Sequence, residues 1–426
     1  QRCTIFGCHR RERRVAGFEQ SVGQRGRRRA HSGSLYRPSW ALPEAGAVDG
    51  TGRAIHHAHP MTNRPTLAQF LASRPPEATA LLERDVPMRF GALDELSRRV
   101  ATGLARLGVG RGDRVALWLP NIPAWLAVFF GCARLGAITI SVNTRFRSHE
   151  VQDIIGRSGA RVLIFWPGFR GIDFAAILEA CDASALTRLE SIVAYTESEA
   201  APAEVLGRAV IPWPALASEA PRHIDDARPD DGCIVFTTSG TTKAPKFVLH
   251  THDSIRDHAE DVATLFGYRE PDAIVLVTAP LCGVFGFDNA MGALAGARPL
   301  VMYPTFDAAT AAEAIVRHRV THTNATDEML AALLKAVQGP RPFPSVKAFG
   351  YAAFSPALAD LPARALEPAH RARAFNVAVR QEAFVVDRID LLRDALFDQP
   401  VLFQRLAEML REPVVRRIRR TPEPIE

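Results

Sequence analysis

Residues 237–246 read TTSGTTKAPK: four threonines, a serine and a glycine, closed by two lysines. The chain has only four lysines against 48 arginines, so two in one short loop is an informative placement. Hydroxyls and accessible backbone N–H groups at this density suit the oxygens of a phosphate, and Lys246 would add a compact positive charge. The spacing is not GxxxxGK[ST], so the P-loop mechanism is not implied. On these residues alone, a polar turn between two strands with a solvated lysine is an equally good reading. Two further groups could bind or titrate. HHAH (56–59) has the residue types of a metal site but no partner spacing, and a polar linker is the simpler reading. His250 and His252 stand at i, i+2, which predicts one face of a strand and a structural role.

A phosphate loop needs a rigid element to present it. CIVFTT (233–238) supplies a buried strand directly before the loop, which would place the loop at the carboxyl edge of a sheet, where open α/β folds bind ligands. The chain around it alternates in the same way. TLAQFLASRP (66–75) predicts a short helix capped by Thr66. After a strand-like entry at residue 90, Leu93, Leu96, Val100, Leu104 and Leu107 repeat at helical spacing. Strands follow at 115–119, 137–142, 161–166 and 273–280, with helices at 122–135, 149–159, 253–267 and 308–319 between them. This is the pattern of a parallel-rich sheet with crossover helices, an α/β fold. Residues 198–231 are poor in apolar runs. After Asn376 the alternation stops, and Ile389, Leu391, Leu392, Leu396, Leu402, Leu406 and Leu410 predict an amphipathic helical tail broken by Pro400 and Pro413. The expected organisation is therefore a leader (1–60), a body (61–375) and an atypical tail (376–426).

Composition narrows the function. Of the +6 net charge, residues 1–60 hold a local excess of seven positive charges, from 11 arginines against Glu12, Glu19, Glu44 and Asp49. The other 366 residues sum to −1, so the body does not read as a nucleic-acid binder. The Arg-rich leader reads as a disordered segment, with an RNA-binding or targeting arm as the alternative. Six cysteines without CxxC spacing predict free thiols in a reducing compartment, the cytoplasm. The longest apolar stretch (125–142) carries Arg134 and two glycines, which predicts a buried helix feeding a strand rather than a membrane span.

TTSGTTKAPKFV resembles the signature loop of the adenylate-forming superfamily, the acyl- and aryl-CoA synthetases, luciferases and peptide-synthetase adenylation domains, usually written TSGTTGxPKG. Residues 94–151 are similar to that family's first subdomain. APLCGVFGF (279–287) resembles the segment lining its acyl pocket, and VTHTNATDEMLAALL (320–334) its following helix region. FGYAAFSP (349–356) resembles its adenine-flanking strand. The likeness is collinear over about residues 66–375. It implies an acyl-CoA-synthetase-like N-terminal domain of layered, parallel-rich sheets with flanking helices. It implies ATP-dependent ligation of a fatty or aromatic acid to coenzyme A through an acyl-adenylate, with Mg²⁺ accompanying ATP. By the same likeness, Thr238, Ser239, Gly240, Thr241, Thr242 and Lys246 would hold the phosphates. Gly350, Tyr351 and Ala352 would frame adenine, and Gly283, Phe285 and Gly286 would line the acyl tunnel.

The chain departs from the family's pattern in four places. Lys243 and Phe247 replace glycines, which implies strain if those positions need positive φ. Gly283 stands where many relatives have a pocket histidine. The YGxTE motif expected after Asn376 is replaced by VAVRQEAFVV, which leaves Glu382 as a weak candidate for Mg²⁺. The parts of the family that follow that motif have no counterpart in 376–426, so impaired turnover is expected. The alternative from another class is a non-catalytic nucleotide- or acyl-binding protein or partner subunit. Within the superfamily, the alternative is an adenylation domain that serves a carrier protein.

Overall fold

A computed structural model describes residues 64–197, 199–238, 245–337 and 343–352, with the backbone of 373–376, 379–380 and 383–384. The first element, α1 (Leu67–Ala72), starts where Thr66 Oγ1 accepts from Gln69 N while the Gln69 side chain accepts from Thr66 N, a reciprocal cap. Strands β1 (Thr79–Glu83) and β2 (Val86–Arg89) form a hairpin, and α2 (Phe90–Arg106) follows without a break. The strand-like entry expected at residue 90 therefore ends one residue earlier, and Phe90 is the buried first residue of the helix. The alternation runs on through β3 (Arg114–Trp118), α3 (Pro123–Leu135), β4 (Ile138–Ser141), α4 (Ser148–Ser158), β5 (Val162–Phe165), α5 (Phe174–Glu179) and β6 (Ser191–Ala194). Helix α3 begins on Pro123 and ends on Gly136 at φ 65°, where a left-handed residue closes the last turn.

The apolar-poor stretch holds elements that the sequence pattern missed: β7 (Glu204–Val205), β8 (Arg208–Pro212) and α6 (Trp213–Ala217). Leu206 and Gly207, at φ 54° and 68°, make the two-residue turn between β7 and β8. β8 lies near the sheet's edge and is half-exposed, so it lacks the apolar run that marks a central strand. The chain continues with β9 (Gly232–Thr238), β10 (Lys246–Thr251), α7 (His252–Leu265), β11 (Val275–Val277), α8 (Val284–Ala295), β12 (Leu300–Met302), α9 (Ala308–Arg317), β13 (His322–Thr326), α10 (Asp327–Ala336), β14 (Ala348–Ala352) and β15 (Arg373–Asn376). After Asn376, β16 (Val379–Arg380) and β17 (Ala383–Phe384) pair as a small antiparallel ladder. The apolar positions Ile389 to Leu410, on which the helical tail is expected, lie outside the described residues.

These strands build two large sheets. One has the order β10-β9-β4-β3-β5-β6-β8-β7, parallel from β9 to β8; the other has β15-β14-β13-β11-β12-β1-β2, parallel from β15 to β1. Helix α3 packs on β3, β4 and β9, and α8 packs on β11, β12 and β13. Trp125 and Phe129 of α3 meet Phe287 of α8 at ring distances of 5.8 and 5.0 Å, and Phe236 of β9 joins them at 5.3 Å. The second sheet is covered on both faces. Val275, Val277, Leu300 and Met302 enter the larger core, while Leu276 and Val301 enter a separate core with Ile315, Leu330 and Phe349. That division follows from the two-residue period of a strand.

The arginine in the long apolar stretch is accounted for by packing. Arg134 is 2% exposed; its Nε donates to Ser97 Oγ at 3.0 Å and its outer nitrogen pairs with Asp94 of α2. Asp94 also accepts from Arg98 at 2.6 Å. Among the described residues no helix is long and apolar enough to cross a membrane. Removing Asp94 would leave the buried Arg134 guanidinium without its carboxylate, so Asp94→Ala should cost about 3 kcal/mol. Urea titration would register this as a lower midpoint with unchanged slope; an unshifted midpoint would refute the pairing as a stabilising contact.

Candidate functional site at the meeting carboxyl rims

The parallel strands of each sheet end on one rim, and loops from the two rims touch. Asn121 lies three residues past β3 and is 4% exposed. Its Nδ2 donates to Ala279 O at 3.0 Å, and its Oδ1 accepts from Leu281 N at 2.7 Å. Ala279 and Leu281 belong to the turn that follows β11, so a single amide joins the two rims. The loop after β4 reaches the same turn. Burial pushes the Cys282 thiol up to about 12, against the opposing effects of its own and Thr144's backbone N–H groups and of the Arg145 charge. Trp118 Nε1, at the end of β3, fixes that loop by donating to Asn143 O at 3.0 Å.

The hydroxyl loop leaves the first rim at the end of β9. Thr238 pairs with Lys246 across the antiparallel β9–β10 ladder, so the loop closes a hairpin on the carboxyl tip of a strand that runs parallel to β4. Ser239, Gly240, Thr241, Thr242 and Lys243 lie outside the described residues, as does the side chain of Thr238. Lys246 is exposed at the first position of β10. Phe247 is regular strand paired with Thr237 and is not among the positive-φ residues, so this glycine replacement carries no backbone strain.

The acyl-pocket candidates divide. Gly283 is the N-cap of α8 at φ −110°, and among the described residues a Cβ there would meet only Pro280 O at 3.6 Å. The position has room for a side chain. Gly286 has none: a Cβ would lie 2.4 Å from both Ala279 O and Pro280 O. Its absent side chain lets α8 sit directly on the turn that Asn121 holds. Phe285 is half-buried, and its carbonyl accepts from Asn324 Nδ2 at 3.2 Å. Asn289 Nδ2 in turn donates to Asn324 Oδ1 at 2.8 Å and Leu276 O at 3.1 Å, and Tyr268 hydroxyl donates to Asn289 Oδ1. Asn121, Asn289 and Asn324 were missed by sequence reasoning. The signal available was a lone carboxamide in each of LPNIPAW, FDNAMGA and HTNAT, the first two mainly apolar.

The adenine candidates lie at the end of β14, parallel to β13, with Gly350, Tyr351 and Ala352 opposite Asn324, Ala325 and Thr326. Gly350 and Ala352 are buried; the side chain of Tyr351 lies outside the described residues. Glu382 also lies outside them, and among the described residues no group of three acids, histidines or cysteines could hold a metal ion. The two histidines do not share a strand. His250 is in β10, edge-on to Phe236 at 5.7 Å, and burial with the nearby His258 lowers its pKa. His252 instead opens α7, because Thr251 and Ser254 cap each other and end the strand. The ring Nδ1 of His252 accepts from Leu67 N at 3.2 Å, a structural bond.

Two doubly covered, parallel-rich sheets whose carboxyl rims share a polar seam define an α/β protein built to hold ligands between its loops. Residues 69–369 match the family described as AMP-binding enzyme, and the chain belongs to that family. The long-chain-fatty-acid–CoA ligase FadD13 of Mycobacterium tuberculosis is 31% identical over 236 residues, 55% of this chain and 44% of that protein. The 4-hydroxybenzoate–CoA/benzoate–CoA ligase of Rhodopseudomonas palustris is 31% identical over 258 residues, 60% and 45% of the two chains. Among solved structures, the anthranilate CoA ligase AuaEII in complex with anthranoyl-AMP gives a TM-score of 0.64 at 23% identity. That match covers 76% of this chain and 61% of that one. The N-terminal domain of FACL13 from Mycobacterium tuberculosis gives 0.58 at 24%, covering 75% and 77%. These likenesses establish the fold. The chain spans about half the length of the curated relatives it matches.

The two glycines should respond oppositely to the same methyl group. Gly283→Ala should leave the thermal midpoint within about 1 °C, whereas Gly286→Ala should cost about 2 kcal/mol or more through forced backbone movement. Equal midpoints for the two variants would contradict the close approach of α8. A second expectation concerns pH. Burial drives His252 down to about 4, as it does His322. A folded-state pKa below the unfolded value near 6.5 means the unfolded chain takes the proton first as pH falls. The contribution is therefore whole above about pH 6.5 and is lost on the way down to about pH 4, roughly 3 kcal/mol for each fully buried ring. His252→Asn, which keeps an acceptor for Leu67 N, should flatten that acid ramp in urea titrations; an unaltered ramp would show that His252 does not cause it.

Proposed function

We propose that this chain activates a carboxylic acid with ATP and passes the acyl group to coenzyme A. In the first step a carboxylate oxygen attacks the α-phosphorus. The new O–P bond forms as the bond to the β-phosphate bridge breaks, and pyrophosphate leaves. In the second step the coenzyme A thiol loses its proton, its sulfur attacks the acyl carbon, and AMP departs. Neither step needs a nucleophilic side chain; both need charge neutralised on phosphate and the reactants held in line. Thr238, Ser239, Gly240, Thr241 and Thr242 would donate to the β- and γ-phosphates, and Lys246 would supply the charge. Mg²⁺ would enter with the triphosphate, since such ions are held largely by substrate phosphates and water.

The observation that carries this reading is the position of Lys246. It stands exposed at the carboxyl tip of β9, on the rim that Asn121 joins to the turn holding Gly283. The acid is proposed to be fatty or aromatic, in keeping with the names of the relatives. The four described cysteines are all free and buried, which supports a reducing compartment, the cytoplasm.

Pyrophosphate release with ATP and a panel of fatty and aromatic acids tests the proposal, run beside an ATP titration of the full chain. ATP binding with slow release is expected. Lys246→Ala should weaken ATP binding about 10- to 100-fold, the worth of a charged hydrogen bond. Binding without release would favour a non-catalytic nucleotide-binding protein, and absence of both would sink the proposal. Thioester product analysis separates coenzyme A from a carrier protein as the acceptor.

A further inference from the structure

Lys246 is the first residue of β10, and β10 is the outermost strand of its sheet, with β9 as its ladder partner. The start of an edge strand is where a ladder opens most readily. Something beyond that pairing is needed to hold the lysine in place, and α4 provides it. Arg157, in the last turn of α4, donates from its outer nitrogen to Pro245 O at 2.7 Å. Its guanidinium carbon stands 4.3 Å from the centre of the Phe247 ring. The two contacts fall on the residues immediately before and after Lys246. The fork is itself oriented by Asp153 one turn earlier, through Nε–Oδ1 at 2.8 Å and an outer-nitrogen bond to Oδ2 at 2.7 Å. Helix α4 is anchored beneath by buried Val151, Ile154 and Ile155.

Successive side chains of a strand point to opposite faces. Phe247 meets Arg157 on one face, so Lys246 projects from the other. The guanidinium therefore grips the backbone and ring on either side of the lysine without reaching its ammonium. Asp153 balances its charge. We infer that Arg157 is a positioning residue that holds Lys246 ready for phosphate, with Phe247 as its contact surface. The glycine usual after this lysine in the resembling family would offer Arg157 no ring, so the brace is a property of this chain's own Arg–Phe pair. The inference rests on the proposed ATP site. It excludes the simpler idea that Arg157 is itself a phosphate ligand.

Hydrogen exchange of the 236–250 segment without nucleotide, together with ATP titration, tests it on the full chain. Arg157→Ala should speed exchange at the start of β10 and weaken ATP binding about three- to tenfold, as expected when the binding-ready population falls. Arg157→Lys should fail to rescue, since an ammonium offers neither the planar face nor the fork. Phe247→Gly should reproduce much of the loss, and the double variant should lose little more than either single one. The salt dependence of ATP binding should be unchanged in Arg157→Ala; a flattened dependence would make Arg157 a direct phosphate ligand and overturn the inference. Unchanged exchange, or faster exchange with wild-type ATP affinity, would overturn it as well. A wild-type chain that binds no ATP would instead overturn the proposed function, while the exchange comparison still decides the brace.

Discussion

The molecule turns on one carboxamide. Asn121 spends its donor on Ala279 O and its acceptor on Leu281 N, in a buried place. A carboxylate there would lose the donor, and an apolar residue would orphan both backbone groups; each unmet partner in such a setting is costly. What the amide joins is the loop after β3 and the turn after β11, which belong to different sheets. The loops at both rims therefore share a fixed point, and the spacing between candidate nucleotide and acyl groups follows from it.

Around that point, polar bonds and close backbone approach do what apolar packing does elsewhere. Tyr268, Asn289 and Asn324 form a buried chain that ends on the carbonyl of Phe285. Directional bonds in a low-dielectric interior select one placement of α8, where an apolar filling would accept several. Gly286 removes the last obstacle between that helix and the turn beneath it. The turn is thus specified by its backbone partners, and among the described residues only Pro280 O comes near a Cβ at Gly283.

The periodic parts of this architecture were legible in the sequence. Elements such as α2, β3, α3, β4, α4, β5, β9, α7 and α9 follow apolar spacing, and the site's place after a buried strand follows from CIVFTT preceding a hydroxyl loop. The failures have physical causes. β8 is a half-exposed strand near the edge, without an apolar run, and His252 left the strand because a Thr–Ser cap outweighed the alternation of histidines. The pairing within the carboxamide seam was not legible because its partners are far apart in the chain, 158 residues for Asn121 and Ala279. Phe247 looked anomalous beside glycine-containing relatives only while Arg157 was unknown as its neighbour. The loop residues Ser239 to Lys243 and the tail beyond Phe384 lie outside the described residues, so those expectations stand where the sequence left them.

The second sheet, finally, constrains how the chain can vary. Because β11 and β12 feed two separate cores with alternate side chains, adding or deleting one residue within either strand would turn both faces at once. Such a frame tolerates exchange of one aliphatic residue for another but not a change of length. Length polymorphism is therefore channelled into the rim loops, the segments that carry the candidate site residues, and the domain can vary there while its scaffold stays in phase.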